Sequence, residues 1–200
     1  MKKLVVIING NGGVGKDTLC DFAAEIFTVR NISAITPIKE IASQHGWHGE
    51  KDAKARKLLA DLKAAFVAYN DLPFLYIQKE YQFFLKEKEE NIMFVHIREA
   101  EEIDKVKQYV TIPCVTLLIT RDQGKDQCWG NPSDDNVGNY NYDYRYRNDK
   151  DLEEAKEDFI GFLKNVFKKE TVMGIHFYNG ESAFDGCFSN CSFSGISKEC

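Results

Sequence analysis

The sequence predicts an α/β fold with a mainly parallel sheet. Three observations carry this. Short apolar runs rich in β-branched residues recur along the chain. Segments with apolar residues at helical spacing alternate with them. A glycine-rich turn joins the first such run to the first helical segment. The chain has 200 residues, 44% of them hydrophobic, which is enough for one sizeable core. Its 28% charged and 12% aromatic residues exclude a disordered composition.

Leu4-Val5-Val6-Ile7-Ile8 reads as a strand buried on both faces. Residues 17–30 follow as a helix, with Leu19, Phe22, Ala23, Ile26 and Phe27 on one face. A second strand is expected at 32–36, stopped by Pro37, and a short helix at 38–43. Leu58, Leu59, Leu62, Phe66 and Tyr69 recur at helical spacing within 52–69, and Asn70-Asp71 break that helix. A further helix spans 72–90, with Pro73 in its first turn, where a missing N–H does no harm. Strands follow at 92–97 and 114–119, around a helix at 99–109. Residues 142–147 alternate weakly as a last strand, and 152–167 form an amphipathic helix capped by Asp149 or Asp151. Two segments stand apart. Residues 121–141 form a long polar loop, of the kind that is usually functional. Residues 171–200 are rich in Gly, Ser, Phe and Cys.

The most specific signal is Gly10-Asn11-Gly12-Gly13-Val14-Gly15-Lys16-Asp17-Thr18. It fits G-x-x-x-x-G-K, with Asp17 in the usual Ser/Thr place, and it sits between a strand and a helix as a phosphate-binding loop must. Glycines let successive backbone N–H groups point at one phosphate, and the next helix adds its positive N-terminus. Lys16 reaches the β- and γ-phosphates, and Thr18 or Asp17 is placed to order Mg2+. A chance lysine beside a glycine-rich turn is the competing explanation, and the strand–loop–helix context argues against it.

This loop resembles that of the adenylate-kinase-like nucleoside monophosphate kinases. Its Gly-Lys-Asp-Thr ending is similar to the phage-type deoxynucleoside monophosphate kinases and the animal-type phosphomevalonate kinases. Phe94-Val95-His96-Ile97-Arg98-Glu99 is similar to their third strand, and Asp134-Asp135, Tyr142-Asp143-Tyr144 and Asn148-Asp149 to their lid and last strand. The resemblance implies a three-layer P-loop NTPase fold over residues 1–170, with a helical acceptor insert at about 38–91 and a lid at about 121–141. It implies ATP as phosphoryl donor and Arg121 as a lid residue on that donor. His96 stands where these families commonly carry an acid, and between 120 and 144 only Arg121 and Lys125 are cationic. Both departures leave room for a nucleotide-binding module without catalysis.

Phosphoryl transfer needs positive groups around the moving phosphoryl and little covalent chemistry. Lys16, Arg98 and Arg121 are the expected catalytic cations. Arg98 follows an apolar strand, where parallel sheets present ligand-binding residues; the bland alternative pairs it with Glu99 or Glu102. Arg56 is an acceptor-phosphate candidate or part of a solvated charged face. Trp47 either stacks on a base or anchors its turn, and Lys39 follows a Pro-x-Lys pattern. His45 with His48, and Cys187-x-x-x-Cys191 with His176, lack the ligand count of a metal site.

A net charge of −5 argues against a general nucleic-acid partner. No run approaches the roughly 20 apolar residues of a membrane span, and without a recognisable signal segment the expected compartment is the cytoplasm, with free cysteines. The leading expectation is transfer of the ATP γ-phosphoryl to a (deoxy)nucleoside monophosphate. A metabolite phosphate such as phosphomevalonate is the alternative acceptor.

Overall fold

The computed structural model describes residues 2–122 and 137–173. Five strands form one sheet: β1 (Leu4–Asn9), β2 (Val29–Ser33), β3 (Ile92–His96), β4 (Cys114–Thr120) and β5 (Tyr144–Arg147). Their order is β2-β3-β1-β4-β5, and every pairing is parallel, so the sheet is wholly rather than mainly so. Among the described residues six α-helices accompany them: α1 (Lys16–Ala24), α2 (Thr36–Gln44), α3 (Ala53–Asn70), α4 (Leu72–Lys86), α5 (Ala100–Tyr109) and α6 (Leu152–Met173).

The alternation of β1 builds two cores. Leu4, Val6 and Ile8 pack with Leu19 and Ala23 of α1 and Phe159, Leu163 and Val166 of α6. Val5 and Ile7 pack on the other face with Ile77, Tyr81 and Phe84 of α4 and Ile103 and Val106 of α5. All six residues of β1 are buried, which explains why the strand reads as a continuous apolar run. Each such aliphatic side chain contributes about 1.5–3 kcal/mol by leaving water.

Several boundaries differ from the sequence expectation. The first helix ends at Ala24, not near Arg30, because Val29–Ser33 pairs with β3 in the register Val29↔Ile92 to Ser33↔His96. Tertiary pairing overrides the helical spacing there. Pro37 does not stop a strand; it lies in the first turn of α2. α4 stops at Lys86, and β5 begins at Tyr144, since Asp143 turns aside to accept hydrogen bonds from the Thr116 N–H and hydroxyl, both 2.8 Å. Asp151, not Asp149, caps α6, accepting from the Glu154 N–H at 3.0 Å. That helix runs on past residue 170 to Met173, with Thr171 buried. Of the 121–141 loop, residues 123–136, Lys125 among them, lie outside the described residues, as does the 174–200 segment with His176, Cys187 and Cys191. Among the described residues no helix is long and apolar enough to cross a membrane, and Cys20 and Cys114 are free thiols.

The topology fixes where a ligand can sit. After β1 the chain builds β2 and β3 on one side, then crosses to β4 and β5 on the other. The carboxyl ends of β3, β1 and β4 therefore meet at a topological switch point, where open parallel sheets bind ligands.

Candidate functional site: the phosphate loop and its surroundings

Residues 10–15 join β1 to α1 at that switch point. Gly10 has φ 149° and Gly15 has φ 90°, conformations that L side chains rarely adopt. Space is as restrictive as dihedral angle. A Cβ on Gly10 would lie 2.4 Å from the Ile119 carbonyl oxygen, and one on Gly15 2.6 Å from Asn148 Nδ2. Val14, between them in the turn, is buried in the α1/α6 core and roots the loop there.

Helix α1 opens at Lys16 with Gly15 at its cap position. Glycine has no side chain, so the cap residue itself makes no side-chain hydrogen bond to the first turn. A helix N-terminus carries partial positive charge and outward backbone donors, the local chemistry of an anion site. The Lys16 ammonium curls back over the loop and donates to the carbonyls of Gly10 at 2.5 Å and Asn11 at 2.9 Å. Asp17 and Thr18 follow in the first turn of α1, both exposed, the Asp17 side chain by 93%. A carboxylate and a hydroxyl are hard oxygen donors. They suit Mg2+, which keeps waters and substrate phosphates as its other ligands. Among the described residues no cluster of three His, Cys, Asp or Glu could hold a metal, and His45 and His48 are simply exposed.

Two carboxamides brace this loop; sequence reasoning named Asn148 only within the Asn148-Asp149 resemblance and did not single out Asn9. Asn148, 7% exposed, donates from Nδ2 to the Val14 carbonyl at 2.8 Å, while its backbone N–H donates to Thr120 O at 2.7 Å. Asn9, 1% exposed, accepts from the Gly10 N–H at 2.8 Å and donates to Arg98 O at 3.1 Å and to the Tyr142 hydroxyl at 2.8 Å. The one signal that could have found Asn9 is an amide at the end of an otherwise aliphatic strand.

His96 ends β3 beside the loop. Burial holds its imidazole down to about 4; Asp17 opposes this, and Lys16 and Lys39 add to it. It is therefore neutral near pH 7. Asn31 Oδ1 lies 2.8 Å from Nε2 and accepts its proton, which turns Nδ1 toward Asp17 Oδ1, 4.0 Å away. An acid at this position would carry charge; this histidine does not.

The predicted site residues divide into two groups. Lys16 opens α1 after β1, and Arg98 and Arg121 follow the two strands that flank β1, β3 and β4. Arg98 is exposed, with its carbonyl tied to Asn9, and Arg121 is exposed one residue beyond β4. Glu99 and Glu102 both pair with Lys63 of α3, at 2.7 and 2.9 Å. Arg56 and Trp47 belong instead to the helical insert. Arg56 is exposed in the first turn of α3. Trp47 is half-buried in the α2–α3 turn, its indole N–H donating to the Glu50 carbonyl at 3.1 Å. Lys39 is exposed on α2.

No protein-family model matches the sequence, and no curated protein does. Among solved structures, a gluconokinase from Sinorhizobium meliloti is similar at 12% identity, covering 90% of this chain and 98% of its own, with a TM-score of 0.45. A shikimate kinase from Bacteroides thetaiotaomicron is similar at 14% identity, covering 82% and 98%, with a TM-score of 0.42. The APS kinase of Mycobacterium tuberculosis is similar at 13% identity, covering 82% and 98%, with a TM-score of 0.39. Likenesses this distant leave function to be argued from the residues of the site.

Proposed function

We propose that this chain is a P-loop kinase that transfers the γ-phosphoryl group of ATP to a small phosphorylated acceptor, a (deoxy)nucleoside monophosphate first among them. The observation that carries this is the loop itself. Two glycines admit no side chain, a helix N-terminus follows with glycine at its cap, and an ammonium lies across the loop carbonyls, all at the switch point of a parallel sheet. Lys16 and the loop N–H groups hold the β- and γ-phosphates. Asp17 and Thr18 are the residues to hold magnesium, which supplies charge neutralisation on those oxygens. Arg98 and Arg121 offset charge developing on the phosphoryl group as it moves. An acceptor phosphate is already ionised, so no general base is required, and a neutral His96 is compatible with that.

A second acceptor class is favoured by one observation. The indole N–H of Trp47 donates to the Glu50 carbonyl and so ties it into its own turn, the anchor role that a metabolite phosphate with no base to stack would leave it. A coupled ADP-release assay with MgATP separates the two classes, using a panel of nucleoside monophosphates, deoxynucleotides and metabolite phosphates. Release stimulated by one acceptor and lost in Lys16→Ala supports the kinase. Hydrolysis of ATP that no acceptor changes, or MgATP binding without turnover, contradicts it and leaves a nucleotide-binding module.

A further inference from the structure

We infer that Asn9 is a positioning residue: its carboxamide ties the entrance of the phosphate loop to Arg98 and, through Tyr142, to Val137, so that nucleotide in the loop is felt at both. This rests on the nucleotide-binding reading above and adds to it how the donor loop and the outlying segments are held in one geometry.

An amide buried in an apolar strand costs free energy unless its hydrogen bonds are made. Asn9 makes three. Oδ1 accepts from the Gly10 N–H at 2.8 Å, and Nδ2 donates to the Arg98 carbonyl at 3.1 Å and to the Tyr142 hydroxyl at 2.8 Å. Both Nδ2 protons are thereby used. Tyr142 is itself 7% exposed, and its hydroxyl donates onward to the Val137 carbonyl at 2.9 Å. The donor order is therefore fixed, from Asn9 to Tyr142 to Val137, and each bond polarises the next.

The three ends of this junction are not arbitrary. Gly10 opens the phosphate loop. Arg98 is the cation at the end of β3. Val137 begins the short turn Val137–Asn139 that leads back toward β5 from the long polar segment. Asp at position 9 would set a carboxylate oxygen against the Arg98 carbonyl, and Leu would remove a hydrogen bond from each of three segments. Asparagine is the residue type that satisfies all three, and the contacts form one continuous hydrogen-bonded path.

The test uses the full chain and MgATP as probe, read by two-dimensional amide NMR. The Glu99 N–H shares a peptide with the Arg98 carbonyl, and the Gly138 N–H shares one with the Val137 carbonyl. In the wild type, the Glu99 and Gly138 resonances are expected to move with the same titration midpoint as those of residues 10–18. Tyr142→Phe should keep the Glu99 response and lose that of Gly138, with MgATP affinity changed less than about three-fold. Asn9→Ala should lose both and weaken MgATP about ten-fold, the scale of leaving buried groups unpaired. If Asn9→Ala does not fold, Tyr142→Phe alone decides. A merely structural role would lower the melting temperature of Tyr142→Phe and leave its Gly138 response in place, and that result would overturn the inference. So would a wild type in which residues 10–18 respond and Glu99 and Gly138 do not. A wild type in which residues 10–18 do not respond would overturn the nucleotide reading and this inference with it.

Discussion

At the phosphate loop, Gly10 and Gly15 have no room for even a Cβ, whereas α3, eighteen residues long, buries only Ala55. Both belong to the proposed kinase site, one for the donor and one for the acceptor. The loop is held from every side: by Val14 in the core, by Asn9 and Asn148 through hydrogen bonds, and by Ile119 through close contact. Helix α3 is held by half-buried Leu59, Leu62 and Phe66 and by the Lys63 pairs to Glu99 and Glu102, while Leu58, Val67 and Tyr69 stay exposed. Donor N–H groups must stand at fixed points around a phosphate, so rigidity is useful there. A segment with few buried contacts opens at lower free energy, which suits an element that admits a ligand.

The sharpest way to break this comparison is to place the same substitution in each region. Gly10→Ala and Gly46→Ala both add a methyl group at positive φ, 149° and 95°. The first meets a backbone oxygen, and the second meets nothing within 4 Å. Gly10→Ala should lose about 3 kcal/mol or more of stability, or fail to fold, and Gly46→Ala about 1 kcal/mol. Equal melting temperatures would remove the basis for calling the loop over-determined.

Next in size is Asn148→Ala, which leaves the buried Val14 carbonyl without its side-chain partner. A loss of about 1–3 kcal/mol is expected in chemical denaturation. A loss below about half a kcal/mol would mean that water replaces the carboxamide and the brace is unimportant.

The insert side has its own handle in pH. Burial pushes the Glu102 carboxyl up to about 7; the charge of Lys63 opposes this, and that of Glu99 adds to it. Glu99 is held below its ordinary value, because Lys63 outweighs the burial that acts against ionisation. A raised value in the folded state gives stability that is whole below the unfolded value of 4.5 and is lost as pH rises through about 7. Glu102→Gln is neutral at every pH. It should match wild type at about pH 5 and exceed it at about pH 8, by roughly 1–2 kcal/mol. A difference that stays constant across that window would show that the pair does not share its charge as described. Smallest of all is Lys57→Ala. Its 2.7 Å pair with Asp61 joins side chains 75% and 63% exposed, and thermal unfolding should change by less than about half a kcal/mol.

What was legible in the sequence follows from how local its cause is. The strand at 4–8, the glycine turn and Lys16 are set by neighbours in sequence, and all three stand where the pattern put them. The α1–β2 boundary was not legible, because the strand character of Val29 and Arg30 is decided by Ile92 and Met93, more than sixty positions away. The bracing contacts of Asn9 and Asn148 were missed for the same reason: their partners Tyr142 and Val14 lie 133 and 134 positions off. The position of Arg98 just beyond β3 was legible because it follows an apolar strand. Arg56 and Trp47 sit where helical spacing and charge runs do not distinguish a ligand contact from a solvated face.

The central claim is that residues 10–18 bind a nucleoside triphosphate, and titration calorimetry with MgATP on wild type and Lys16→Ala tests it most directly. The account predicts saturable binding to the wild type and an affinity at least about 100-fold weaker in the variant, since a charge-assisted phosphate contact is lost. The melting temperature of the unliganded protein should stay within a few degrees. Equal affinity in both proteins, or no binding to the wild type, would contradict it.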